Sequence, residues 1–265
     1  MRIARPCLAV AHGLFATVAA ADCVRDYEVA VVSLGYATFY DEGGQLAGYA
    51  IDQIRELERR SGCKLIVTAY PGQRAKVLAQ HGLVAMMPFS GKPPKVEPDR
   101  LWIGMTRIRM DLVLNKAVVG EGASLNAVLA NPEVTVGLVR GLNYGPDIDA
   151  LLAPLPANRI DISDSIDALV RKFAAGRVGA TPGFSIIYRQ WANDARLNDR
   201  IWVIPIHTAA PMPGGWTFWT SNIAPEDVKL LTGALRAMRD DGTDQKLLAR
   251  YVGSRDAAAF TFPAD

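Results

Sequence analysis

Histidine is scarce in this chain. Of 265 residues three are histidine. One of them, His12, falls in an N-terminal stretch that reads as a leader. His81 and His207 are far apart and have no cysteine partners, a poor basis for a metal site. Other signatures are missing as well. There is no Gly-x-Ser-x-Gly elbow, no phosphate loop and no dinucleotide fingerprint. Internal repeats and low-complexity tracts are absent. No apolar run beyond the N-terminus is long enough to span a bilayer. No cofactor, metal or catalytic residue is therefore expected. Charge of one sign is lacking too. If residues 1–21 are removed, Arg2 and Arg5 go and no acid goes, so 29 basic residues become 27 against 27 acidic ones. That balance argues against nucleic acid and anionic membrane surfaces as partners.

Residues 1–21 combine a basic start, a short apolar run from Leu8 to Val18 and the small residues Ala19-Ala20-Ala21. This is the pattern of a cleaved secretory signal peptide. Asp22 stands before Cys23, where a lipid-attachment motif needs a small residue, so lipidation is not expected. Cys23 and Cys63 remain in the mature chain. Each precedes a strand-like run. If those strands are parallel neighbours, the two cysteines lie within disulfide reach in an oxidising compartment. The alternative is two unrelated buried thiols.

The stretch from Tyr27 to Tyr70 organises the chain. Tyr27-Glu-Val-Ala-Val-Val-Ser-Leu34 is an apolar strand of the kind covered on both faces. A helix follows, with Ala50, Ile54, Leu57 and Ser61 on one face, Asp52 in its first turn, Arg59-Arg60 in its last and Gly62 after it. Lys64 to Tyr70 is the second strand. A βαβ unit of this length makes a right-handed crossover, with ligands at the carboxyl ends of its strands. The loop at that end holds three rings, Tyr36, Phe39 and Tyr40. They either cover the sheet edge or meet a ligand, and their clustering favours the ligand.

Tyr36, Phe39, Asp41, Gly43, Gly48, Tyr49 and Asp52 fall in an order that resembles the start of the type II periplasmic solute-binding proteins, in the polar amino-acid branch (family 3). Asp241-Gly242-Thr243 with Tyr251 is similar to that family's C-terminal segment. The resemblance implies an α/β fold of two lobes, each with a mainly parallel sheet, and a ligand cleft between them. It implies one lobe from residues 22–108 and 208–265 and the other from 109–207. Its site would draw on Phe89 and on Ser90 and Lys95, which stand near the family's Ser-x-Thr-x-x-Arg loop. Asn143 and Tyr144 stand in its Gly-Ser/Thr-x-Tyr segment. Phe184 falls where an acidic residue binds an amino group. Arg74, directly after a strand, is either a surface arginine or a ligand contact. Lys92 and Lys95 read more as solvated loop charges than as anion ligands.

The resemblance implies a periplasmic, monomeric protein that closes by a hinge on a small molecule and hands it to an inner-membrane ABC permease. Lys95 is the nearest match to the carboxylate-binding Arg, and Phe184 replaces the ammonium-binding Asp. An ammonium buried without an anionic partner is costly. The expected ligand is thus a small polar or acidic organic solute rather than an α-amino acid. Two other readings stand beside it. One is a dehydratase-like enzyme on the same scaffold, for which Asp41, Glu42 and Asp147 are the candidate acids. The other is a periplasmic accessory or sensor protein that binds a protein partner.

Overall fold

The computed structural model describes residues 23–95, 97–193, 197 and 199–262. Residues 1–21, expected to be a signal peptide, lie outside the described residues. Strand β1 (Tyr27–Val31) is nearly all buried and leads through a small hairpin, β2 (Phe39–Tyr40) and β3 (Leu46–Ala47), into helix α1 (Tyr49–Ser61). The face of α1 read from the sequence is the buried one: Ala50, Ile54, Leu57 and Ser61 all face inward. β4 (Leu65–Ala69) then pairs parallel with β1, Tyr27 opposite Leu65.

Helix α2 (Gly72–Gln80) leads to β5 (Met86–Gly91), and β6 (Arg100–Ile108) follows. After Arg109 the chain enters a second sheet with β7 (Met110–Asn115). There it builds α3 (Leu125–Ala130), β8 (Val136–Val139), α4 (Pro146–Leu152), β9 (Ile160–Ser163), α5 (Ile166–Ala174), β10 (Ala180–Phe184), α6 (Ser185–Asn193) and β11 (Ile201–Pro205). It returns with β12 (Met212–Trp219) to the first sheet and ends in α7 (Pro225–Asp240), α8 (Thr243–Val252) and α9 (Ser254–Phe260).

The first sheet has the order β4-β1-β5-β12-β6 and the second β11-β7-β10-β8-β9. One strand in each runs against its neighbours, β12 in the first and β7 in the second. These are the strands by which the chain arrives from the other sheet. Trp216 and Phe218 of β12 are fully buried beside Tyr27 and Tyr49, so residues far apart in sequence share one core.

Pairing moves several element bounds from those the sequence pattern gives. The apolar run Leu83-Val84-Ala85-Met86-Met87 reads as a strand, but the strand begins at Met86 and runs to Gly91, because β12 offers partners out to Gly214. Phe184, placed by its neighbours at the start of a helix, is the last residue of β10, held opposite Met110. The hairpin β2–β3 and the last helix α9 have no strong pattern of their own. α9 is set against β6, where Thr106 bridges Thr261.

Cys23 and Cys63 are bonded, with Cα atoms 4.7 Å apart. The parallel pairing of β1 and β4 places their amino ends side by side. A cross-link over 40 residues removes about 4 kcal/mol of unfolded-state entropy. The double substitution C23S/C63S is expected to lower unfolding free energy by roughly that amount, measured by urea titration. Two free thiols in the exported protein, read by mass without reductant, would refute the pairing.

Candidate functional site

A cavity of about 310 Å³ opens where the strand ends of both sheets meet. The first lobe contributes Leu34 after β1, Tyr70 and Gln73 around the β4–α2 turn, and Phe89 of β5. The second contributes Arg140 and Leu142 after β8, and Asp164 and Ile166 around the β9–α5 turn. In sheets of this kind the carboxyl ends are where connecting loops leave room for a ligand.

Two helices begin at this cavity, and their ends differ. On α5, Ser165 Oγ accepts from the Ala168 amide and Asp167 stands in the first turn, so its positive end is already answered. On α2, Pro71 precedes the helix, no side chain caps it and no acid occupies the first turn. Its first amides therefore face the cavity side without a side-chain partner.

Across the mouth, Gln73 Nε2 donates to the Arg140 carbonyl at 3.3 Å. Gly141 follows in the left-handed region at φ 78°, and a Cβ there would collide with the Gln73 amide. The left-handed turn favours glycine, and a side chain there would displace the Gln73 amide from the Arg140 carbonyl. Arg140 Nε donates to Asp164 Oδ1 at 3.0 Å on a pair that is largely exposed. Arg74 is exposed and lies over the Tyr70 ring at 5.3 Å, at the rim of the same cavity.

Phe89 stands at the centre. It is the one non-glycine residue with positive φ among the described residues, at 52°. Such a conformation costs about 1–2 kcal/mol for an L-residue. Its ring meets Tyr49 edge-on at 6.5 Å. On its other sides it borders two smaller compartments. One, of about 120 Å³, is walled by Ile108, Phe184 and Met212 and shares Leu34, Phe89 and Leu142 with the main cavity. The other, of about 50 Å³, lies between Phe89 and β1.

Tyr49 is held by a buried polar chain. Its hydroxyl donates to the Asp244 carboxylate at 2.8 Å, and Gln53 Nε2 donates to the same carboxylate at 2.6 Å. Trp216 Nε1 closes the chain on Gln53 Oε1 at 3.1 Å. Asp244 is 1% exposed. Burial pushes its carboxyl up to about 6, against the downward pull of the Gln53 and Tyr49 hydrogen bonds. Burial also raises the Tyr49 phenol well above its ordinary value.

The expected site residues fall into two groups. Phe89, Phe184 and Asn143 border the cavities, and Arg74 stands at the rim. Tyr144 borders a further cavity of about 210 Å³ that shares Asn143, Met212 and Pro213 with the 120 Å³ compartment, and the others border none of these. Tyr36 packs on Phe39 and Tyr251, and its hydroxyl accepts from Asn193 Nδ2 at 2.7 Å. Its amide donates to the Ile186 carbonyl of α6. Gly35, at φ 55°, lets this loop approach so closely that a Cβ would lie 2.6 Å from the Ile187 Cα. The aromatic loop therefore docks α6 onto the first lobe. Tyr40 is exposed in the β2–β3 hairpin. Ser90 Oγ is turned to Thr217 Oγ1 at 2.8 Å and the Gly215 carbonyl at 3.2 Å, because β12 runs beside it. Lys95 is exposed in the loop after β5. Tyr144 is buried, its hydroxyl accepting from the Val139 amide at 2.8 Å, and burial pushes it up to about 12. Among the candidate acids, Asp41 Oδ1 accepts from the Gly43 and Gln45 amides, and Asp147 Oδ2 accepts from the Ala210 amide at 2.8 Å. Both hold loops. Gln73, Arg140, Leu142 and Asp164 line the cavity without having been expected there. Their signal was position, since each closely follows a strand.

No family model matches the chain, and no curated protein matches it. Solved structures do. An ancestral arginine-binding protein bound to glutamine aligns with a TM-score of 0.70 at 17% identity, over 86% of this chain and 98% of its own. An ABC uptake transporter substrate-binding protein from Streptococcus pneumoniae with bound histidine gives 0.71 at 13% identity, over 86% and 92%. An ancestral amino acid-binding protein, a precursor of cyclohexadienyl dehydratase, gives 0.65 at 17% identity, over 86% and 95%. At these identities the likeness concerns the fold, and the fold is that of the two-lobed periplasmic binding proteins, as the sequence resemblance implied.

The buried Asp244 makes stability depend on pH in a definite direction. Its proton is bound more tightly in the folded protein, so its contribution is complete below about pH 4 and lost as pH rises through about 6. A carboxyl raised from about 4 to about 6 contributes about 3 kcal/mol in this way. Glu56, held at about 2 by Arg59 and Arg60, and Asp241, which burial raises but Arg60 and Thr243 pull down to about 2, act in the opposite sense and below that window. Urea titrations between about pH 4 and pH 7 are expected to show stability falling with pH, and Asp244→Asn to flatten the slope. An unchanged slope in that variant would assign the dependence to another group.

Proposed function

We propose that this protein is a solute-binding protein that holds a small polar or acidic organic molecule in the interlobe cavity and delivers it to an inner-membrane ABC importer. The lobes comprise residues 22–108 with 208–265, and 109–207. The protein acts as an exported, periplasmic monomer. Among the described residues no helix is long and apolar enough to cross a membrane. The observation that carries the reading is the cavity itself, lined from the strand ends of both sheets and bridged at its mouth by the Gln73–Arg140 hydrogen bond. Opening such a mouth breaks an exposed bond of about 0.5–1.5 kcal/mol, which suits hinge motion.

The chemistry of the walls supports an acidic group on the ligand. The α2 amides, Arg74 at the rim and Arg140 opposite offer donors. The two carboxylates at the cavity are both exposed: Asp164 shares Arg140 with any acidic ligand group, and Asp167 stands in the first turn of α5. An α-ammonium group has no buried anion to meet there. The binders of similar fold include proteins solved with glutamine and histidine, so the distinction is worth testing directly. The enzyme reading has less support, since Asp41 holds the β2–β3 turn and Asp147, which borders a neighbouring cavity of about 210 Å³, accepts from the Ala210 amide.

Thermal shift followed by calorimetry, on a panel of small carboxylates and the twenty amino acids, tests the reading. A carboxylate is expected to raise the melting temperature, and Arg140→Ala to weaken its binding about 10- to 100-fold, as loss of a charge-assisted bond does. Micromolar binding of an amino acid would overturn the choice of ligand class. Absence of any small-molecule binding would overturn the function.

A further inference from the structure

We infer that the ligand carries an apolar group that fills the 120 Å³ compartment beside the hinge, so that the protein selects amphipathic carboxylates over fully polar ones. The inference rests on the solute-binding reading and specifies which solute. No charged side chain borders this compartment. Its side-chain walls are Leu34, Phe89, Ile108, Leu142, Phe184 and Met212, completed by the backbone of Gly91, Pro213 and Gly214. Asn143 is its one amide side chain, and Asn143 Oδ1 is already taken by the Gly145 amide at 3.0 Å.

The compartment adjoins the main cavity, with Leu34, Phe89 and Leu142 as walls common to both. A molecule whose acidic end lies between Arg140 and the start of α2 therefore directs its other end past Phe89 toward Ile108 and Met212. A charged end placed there would lose water and meet at most the Asn143 amide, too little to offset its desolvation. An apolar end gains by leaving water, and would rest on the edge of Phe89 and on Phe184. The size is also defined. An apolar cavity of roughly 150 Å³ holds a benzene molecule. A compartment of about 120 Å³ that adjoins a larger one takes a short branched alkyl chain or a single ring.

Gly91 provides the means of testing this. It borders the compartment, and a Cβ added to it meets no atom within 4 Å. Gly91→Leu thus places a bulky side chain at the border of the compartment without a clash at Cβ, and leaves Arg140, Gln73 and the start of α2 in place. Calorimetry on the mature protein would compare 4-methylpentanoate and 3-phenylpropionate with succinate and glutamine. The two tailed acids are expected to bind at least about tenfold tighter than the polar pair, the worth of two buried methylene groups. Gly91→Leu is expected to remove that advantage while keeping the melting temperature of the free protein. Tighter binding of succinate or glutamine, or tailed acids that bind Gly91→Leu unchanged, would overturn this inference alone. Binding of none of these four, nor of any other small solute, would overturn the solute-binding reading with it.

Discussion

The carboxylate of Asp244 is the constraint on which the first lobe depends. It is buried, and a buried carboxylate is tolerated only when hydrogen bonds replace water. Those bonds come from Tyr49 and Gln53, about 190 residues earlier in the chain. Satisfying Asp244 therefore fixes α8 against the start of α1. Trp216, on the returning strand β12, joins the same group through Gln53. One polar cluster thus ties the first βαβ unit, the returning strand and the C-terminal helices together. It also reaches the site. Tyr49 presents its ring to Phe89, whose unfavourable backbone persists because the neighbours on each side are fixed.

A second constraint sets how the lobes meet. The aromatic loop and α6 come into backbone contact at Gly35, and Tyr36 adds bonds to Ile186 and Asn193. Arg189 of α6 pairs with Asp256 of α9 on the same side. These contacts lie between α6, in the chain segment of the second sheet, and elements built around the first. By comparison the cavity mouth is bridged by one long hydrogen bond from Gln73. The side of the molecule carrying α6 is thus the firmly joined one. The bond that bridges the mouth on the Gln73 side is exposed, so breaking it would cost about 0.5–1.5 kcal/mol.

Much of the fold could be read from the residues because its cues are local. The βαβ unit from Tyr27 to Tyr70 shows its strands by continuous apolar runs and its helix by facing residues and end charges. The disulfide followed from the same unit, since parallel neighbours bring Cys23 and Cys63 to one end. The cleft was less legible. Tyr36 and Phe39 look like ligand contacts because rings in an exposed loop usually have a partner, and here the partner is α6 and Tyr251. Ser90 has the composition of a site loop, but the strand beside it turns its hydroxyl to Thr217. Which face a residue presents depends on its tertiary neighbours, and single-residue chemistry does not reveal them. Arg140 and Leu142 had only their place after a strand to mark them.

Phe184 joins these two levels. Its position, at the end of β10 and on the wall of the inner compartment, follows from antiparallel pairing with Met110, where the chain first enters the second sheet. Its chemistry is apolar, as are those of Ile108 and Met212, which are paired with each other where β6 and β12 begin their contact. The inner end of the cleft is therefore built from residues beside the segments that cross between the two sheets. On the proposed reading, a ligand that reaches them would touch the segments that bend as the lobes close. Its apolar end would add buried surface in the closed arrangement that is lost when the lobes part. Differential burial of this kind is what allows a ligand to shift a conformational equilibrium. The acidic end would then determine where the ligand sits, and the apolar end how strongly it favours closure.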